Sequence, residues 1–331
     1  MIESARKELL EIPTKNGHAS TIARVNGETW MAWFGGTEES KPDVDIYGAV
    51  RGEDGWSKPF LLAQEDGIPH WNPVFYAEGE RVTLFYKVGH TIPQWVTRVL
   101  RSEDGGKTFS PPVACVPGDV GGRGPVRNKP IRLKSGRILA PASIETPERW
   151  DAFVDISDDS LQSFHQSAFV PLRRKSEIAA DFPESAFAVH GKGVIQPTLW
   201  QSVDQSVHMF LRSTEGFILR SDSFDEGETW SPAVSTGLPN NNSGIDLSKL
   251  ADGRIALVLN PVHGNWAPRS PLSLYVSEDD GNTFRSVMHL EVNAGEYSYP
   301  AILSEGRTLY VSYTWKRLKM AYWEIALEAR A

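Results

Sequence analysis

Hydrophobic positions along this chain come in short runs, not in helical stripes. Thr29-Trp-Met-Ala-Trp-Phe34, Val82-Thr-Leu-Phe-Tyr86, Val207-His-Met-Phe-Leu211, Ile255-Ala-Leu-Val-Leu259 and Thr308-Leu-Tyr-Val-Ser-Tyr313 are each five or six residues long. They are bounded by polar, glycine-containing stretches such as Ala251-Asp-Gly-Arg254. Runs of this length, rich in β-branched and aromatic side chains and closed by turn residues, predict strands. Signals for helices are scarce.

A motif recurs between the runs. It reads Ser102-Glu-Asp104-Gly-Gly106-Lys-Thr108-Phe109, then Ser223-Phe-Asp225-Glu-Gly227-Glu-Thr229-Trp230, then Ser277-Glu-Asp279-Asp-Gly281-Asn-Thr283-Phe284. A worn copy is Ser157-Asp-Asp159-Ser-Leu-Gln-Ser163-Phe164, and a shortened one is Gly52-Glu-Asp54-Gly55-Trp56-Ser57. Each copy suits a hairpin turn. The aspartate can accept bonds from backbone N–H groups of its own turn. The glycine supplies positive φ, and the threonine and aromatic open the next strand. The aspartates stand at 54, 104, 159, 225 and 279, in steps of 50 to 66 residues. A unit of about 55 residues fits a four-stranded propeller blade, and 331 residues hold six of them. The sequence therefore predicts an all-β, six-bladed β-propeller with Asp-box turns, one domain over 1–331. Its sixth blade would join C-terminal strands to an N-terminal one.

Composition narrows the chemistry. The single cysteine, Cys115, excludes an internal disulfide. The N-terminus is charged, without the apolar core of a signal peptide, and no run of about 18 apolar residues occurs; a cytoplasmic protein without membrane contact is expected. A net charge of −8 argues against nucleic acid as a partner. The eight histidines show no metal-ligand spacing. Nucleophile elbow, P-loop and dinucleotide fingerprint are missing as well, so neither metal nor cofactor is expected. Eleven tryptophans suit packing between sheets or stacking on sugars. No residue pattern names an oligomeric state.

With these turns, the chain resembles the sialidase (neuraminidase) superfamily over nearly its whole length. The resemblance implies three arginines on a sugar carboxylate, whose geometry guanidinium forks match. It also implies a tyrosine nucleophile with a glutamate partner, and an aspartate acid/base on a mobile loop. Matching segment by segment, Arg212 in Phe210-Leu-Arg212-Ser takes the second arginine position, and Arg269 in Pro268-Arg269-Ser-Pro takes the third. The nucleophile falls in Gly295-Glu-Tyr297-Ser298-Tyr, giving Tyr297 with Tyr299 as its neighbour. The acid loop spans residues 34–45, giving Asp43, with Asp45 or Glu38 as alternatives.

Three positions depart from that pattern. His18 stands where the first arginine belongs, which removes a charge-assisted contact of roughly 1.5–3 kcal/mol. Gln196 replaces the glutamate partner of the tyrosine, and an amide is no base. The glutamate expected in Leu309–Trp315 to orient the first arginine is absent. Polar clusters precede other strands: His70-Trp71-Asn72-Pro73, Arg123 to Pro130 with Arg127 and Lys129, and Pro239 to Asp246 with Asn242. They supply groups suited to sugar hydroxyls and a ring face, and Arg127 or Lys129 could replace the lost charge. The expected function is an exo-acting glycoside hydrolase on an acidic or modified terminal sugar. Asp43 would be the acid/base and Tyr297 the nucleophile or transition-state stabiliser, with His18 and Gln196 completing the catalytic set. Trp71, Asn72, Arg127, Lys129, Arg212, Asn242 and Arg269 would hold substrate. A uronate-cleaving lyase and a non-catalytic sugar-binding propeller are the alternatives.

Overall fold

All five hydrophobic runs are second strands of antiparallel sheets of four or five strands, where neighbouring sheets cover both faces. Thr29–Phe34 lies in the strand Glu28–Gly36, and Thr308–Tyr313 in Thr308–Trp315. Burial on both faces explains why these runs read as continuous rather than alternating. The computed structural model describes residues 2–177 and 187–330. Its strands form six antiparallel sheets. In chain order we number them blades 1 to 6, starting at residues 16, 70, 131, 194, 246 and 297. Blade 6 takes its outermost strand, Ile2–Glu11, from the other end of the chain, where it pairs with Lys319–Leu327. The ring therefore closes as a six-bladed β-propeller.

The Asp-boxes join the third and fourth strands of blades 2 to 5. In every copy one aspartate oxygen accepts the N–H four residues on, at 2.9 Å for Thr108, Ser163 and Thr229 and 2.8 Å for Thr283. The other oxygen accepts that residue's hydroxyl. The leading serine accepts the N–H of the box glycine, or of Leu161 in the worn copy, at 2.8–2.9 Å. The glycine also meets the preceding blade. A Cβ on Gly106 (φ +88°) would sit 2.6 Å from the Trp30 ring, and one on Gly281 (φ +83°) 2.7 Å from Trp200. The box is thus both a turn and a blade-to-blade contact.

These hydrogen bonds hold the carboxyls of Asp104, Asp159 and Asp279 down at about 2. In each case the bond from the threonine or serine hydroxyl is the largest cause. An unfolded aspartate titrates near ~3.9. A depressed native value stabilises the fold above ~3.9, and that contribution is lost as pH falls toward 2. An acid titration followed by near-ultraviolet circular dichroism should therefore show unfolding between those values. The Asp104→Asn/Asp159→Asn/Asp279→Asn variant should be less stable at pH 7 and less sensitive to acid. Parallel acid profiles would refute the assignment.

The inner strands carry a repeated irregularity. Ladder pairing skips two residues in blade 1 (between His18 and Thr21), blade 2 (Trp71, Val74), blade 4 (Ile195, Thr198) and blade 6 (Ser298, Ala301). The first skipped residue has positive φ each time: Ala19 (56°), Asn72 (30°), Gln196 (53°) and Tyr299 (54°). A bulge of this kind re-aims a side chain and leaves backbone groups unpaired. Residues 126–128 take up those groups. Arg127 donates to the carbonyls of Tyr299 and Pro300, and Asn128 to those of Gln196 and Pro197. Asn72 in turn donates to the carbonyl of Val126. This segment ties together blades 2, 4 and 6 at the centre of the ring.

Candidate functional site

Three of the four bulged residues open onto one cavity of about 450 Å³, within the ~300–1,000 Å³ usual for small-ligand sites. Asn72, Gln196 and Tyr299 line it, beside His18, Trp71, Arg212 and Arg269. Seven residues expected from the sequence, counting the alternative Tyr299, thus meet there, drawn from blades 1, 2, 4, 5 and 6.

Tyr299 is the hub. The guanidinium carbons of Arg127, Arg212 and Arg269 lie 5.3, 5.7 and 5.4 Å from its ring centre. The His18 ring lies 4.3 Å away. Arg212 donates to the Tyr299 hydroxyl at 2.7 Å, to Gln196 Oε1 at 3.0 Å and to Asn242 Oδ1 at 2.7 Å. All three acceptors are neutral, so the buried Arg212 has no carboxylate partner among the described residues. Its flat face is flanked by Trp150 and Trp266, each 5.6 Å away. Trp266 is 65% exposed and stands at φ +59° on the rim.

Arg269 donates to Glu296 at 2.6 Å. Arg317 also lines the cavity, and nothing in the sequence singled it out. Its Nε donates to both Glu296 oxygens at 3.0 Å, and Nη1 to Glu39 at 2.6 Å. Burial alone would raise the Glu296 carboxyl, but Arg269 and Arg317 outweigh it and hold it below the usual range. The last hairpin thus brings a third guanidinium, Arg317, to the cavity that Arg212 and Arg269 line. Glu296 pairs with both Arg269 and Arg317, whereas Leu309–Trp315 holds no carboxylate.

Several sequence expectations need correction. Tyr297 does not face the cavity: it is 1% exposed and packs in the core of blades 5 and 6. The bulge turns Tyr299 inward instead. Asp43 is exposed and accepts from the Thr37 N–H and hydroxyl at 2.8 and 2.9 Å, so it caps its own loop. Slight burial would raise it, but those bonds hold it below the usual range. Asp45 is raised to about 6, by burial and then by Asp43 and Asp66, but lies off the cavity, as does Glu38. The loop contributes Glu39. His18 accepts or donates at Thr314 Oγ1 (2.8 Å) and is no cation. Burial, followed by the charges of Arg317, Arg269, Arg127 and Arg212, drives it well below the usual imidazole value. Arg127 sits beneath the cavity as a brace of the bulges, its value lowered to about 10 by burial. Lys129 is bound to Asp246 and the carbonyl of Leu247 and does not line the cavity. Asn242 is buried and holds Arg212 without lining the cavity.

Lys192, Trp95, Trp150 and Glu145 complete the wall. Periodicity could not find them, because they sit at strand ends (Glu145, Trp150) or in loops (Trp95, Lys192). One signal for Tyr299 was present: Asn72-Pro, Gln196-Pro and Tyr299-Pro share one bulge position, and Tyr297 is not followed by proline.

The BNR repeat-like domain family matches residues 27–311. None of the curated proteins matches the chain by sequence. Among solved structures, a protein of unknown function from Dyadobacter fermentans is similar at 16% identity and a TM-score of 0.74, with 99% of this chain and 100% of that one covered. A Trypanosoma rangeli sialidase is similar at 12% identity and a TM-score of 0.73, covering 98% of this chain but 60% of its own. A variant of NanB sialidase from Streptococcus pneumoniae follows at 12% identity and a TM-score of 0.69, with 97% and 70% covered. At these identities the likeness is one of fold.

Proposed function

The chain belongs to the BNR repeat-like domain family, and from that premise we propose that it is an exo-acting glycoside hydrolase removing an acidic sugar from a glycan end. One observation carries the reading. Arg212, buried and hydrogen-bonded only to neutral groups, opens onto a cavity with Arg269 and Arg317 in a protein of net charge −8. A buried cation without a counter-ion is costly, and a substrate carboxylate would complete it with bidentate bonds. Trp150 and Trp266 line the cavity, and the exposed Trp266 is available to stack on a sugar ring. Segment 126–128 braces the ring beneath the cavity, which favours a chain end over a threaded polymer.

In this mechanism the three guanidiniums hold the carboxylate and fix the sugar over Tyr299. The phenol oxygen lies at the anomeric carbon and stabilises its developing positive charge, with Arg212 as its hydrogen-bond donor. Gln196 keeps Arg212 in place and takes no proton. Water completes the hydrolysis.

The test is a panel of oligosaccharides ending in glucuronic, galacturonic or N-acetylneuraminic acid, each paired with its carboxyl-reduced analogue. Release of the terminal sugar from an acidic substrate, and not from its reduced analogue, is expected. Equal cleavage of both, or no release from any, would overturn the reading. A product absorbing in the ultraviolet through a new conjugated double bond would instead support the lyase, for which His18 against Tyr299 supplies a neutral base.

A further inference from the structure

The hydrolase reading leaves the leaving group without a proton donor, because Asp43 and Asp45 lie off the cavity and Glu39 is paired with Arg317. The opposite wall holds one more carboxyl. Glu145 ends the second strand of blade 3, Ile138–Glu145, and lines the cavity beside Thr146, Pro147 and Trp150. Its situation differs from that of every other acid there. Glu39 and Glu296 accept from guanidinium groups. Glu145 has no hydrogen bond or ion pair among the described residues, and its Oε1 is buried without a partner.

A carboxylate there would lose hydration at Oε1 with no hydrogen bond to replace it, which favours the neutral acid. The groups facing it are Arg212, Lys87 and Lys192, all cations that favour ionisation, yet burial outweighs them and raises its carboxyl above the usual range. Glycosidases divide acid and nucleophile roles between a carboxyl whose surroundings favour its protonated form and a second group that remains charged. Here the charged groups are the arginines around Tyr299.

Resting on the proposed hydrolase reading, we propose that Glu145 is the catalytic acid, donating its proton to the glycosidic oxygen as the bond to the anomeric carbon breaks. The bonding pair leaves with the oxygen, so the aglycone departs as a neutral alcohol and Glu145 is left as a carboxylate. An incoming water then bonds to the anomeric carbon and returns its proton to Glu145. The cavity supplies both functions from different blades: anion capture from blades 4 to 6, proton delivery from blade 3.

The experiment compares the 4-nitrophenyl and phenyl glycosides of glucuronic, galacturonic and N-acetylneuraminic acids. A 4-nitrophenolate leaves with little protonation, whereas phenol needs the acid. Wild type should cleave both glycosides of at least one sugar. Glu145→Gln should lose about 10²–10⁴-fold in kcat/KM on the phenyl glycoside, but less than about tenfold on the 4-nitrophenyl one. Added formate should restore Glu145→Ala, and the alkaline limb of the wild-type pH profile should vanish in Glu145→Gln. Equal losses on both leaving groups, or the leaving-group signature appearing in Glu39→Gln instead, would overturn the assignment of Glu145 alone. Wild type inactive on all six glycosides would overturn the hydrolase reading and this assignment with it. Glu145→Gln is isosteric, and unchanged circular dichroism and melting would separate chemistry from misfolding.

Discussion

Replacing Arg212 by methionine is expected to lower kcat/KM on the preferred acidic substrate by about 10²–10⁴-fold, the largest loss of any single change at the binding groups. A charge-assisted hydrogen bond contributes about 1.5–3 kcal/mol, and a bidentate carboxylate contact makes two. Arg212 also positions its surroundings, since it donates at once to Tyr299, Gln196 and Asn242. Lysine keeps the charge but has one point donor in place of a planar fork. Arg212→Lys should therefore recover less than about a tenth of the activity. Affinity for the free acidic sugar, measured by calorimetry, should fall in parallel for both variants. Arg212→Met within tenfold of wild type would show that the anion is held elsewhere.

The largest loss of stability should follow Asp246→Ala. Asp246 lies at the start of the inner strand Asp246–Lys249 and is 1% exposed. Its oxygens accept from Lys129 at 2.9 and 3.0 Å, from the Thr198 hydroxyl at 2.7 Å and from the Ile302 N–H at 2.9 Å. These donors come from the approach to blade 3 and from blades 4 and 6, so one carboxylate joins four consecutive blades. Removing one partner of a buried ion pair typically costs about 3–5 kcal/mol, because the other charge is left without compensation. The Lys129 side chain is 17% exposed and can recover some hydration, which favours the lower part of that range. Lys129→Met/Asp246→Leu should be less destabilised than the sum of its single changes, and a double-mutant cycle by urea denaturation would measure the difference. Additive losses would mean that the pair does not couple the blades.

Both predictions concern residues that the sequence had marked, though for different reasons. Arg212 was found by its place before an Asp-box and does open onto the cavity. The neighbours Arg127 and Asn128 mark Lys129 as a substrate contact, yet Asp246 holds it away from the cavity. A cation in a polar cluster before an inner strand reads the same either way. Which side of the ring it faces depends on how residues 126–130 cross the centre, and no local pattern encodes that path. Tyr297 and Tyr299 show the same limit at finer scale. Both alternate onto the same face in a regular strand, and only the bulge after Ser298 separates a core tyrosine from a cavity one.

The architecture was legible because its determinants are local. Each Asp-box satisfies its hydrogen bonds within eight residues, and each hydrophobic run signals a strand covered on both faces. Repetition at about 55 residues then counts the blades without any long-range information. The cavity was legible only in part, because its chemistry is assembled across the ring. Arg317 lies 299 positions from His18 along the chain, yet its carbonyl accepts the Gly17 N–H at 2.9 Å. Closure by Ile2–Glu11 against Lys319–Leu327 brings the two ends together. The sequence by itself determined the blades, their number and the arginines next to the boxes. Only ring closure and the inner-strand bulges decided which tyrosine, which third arginine and which carboxyls share the cavity, since those choices rest on contacts between segments that are distant in the chain.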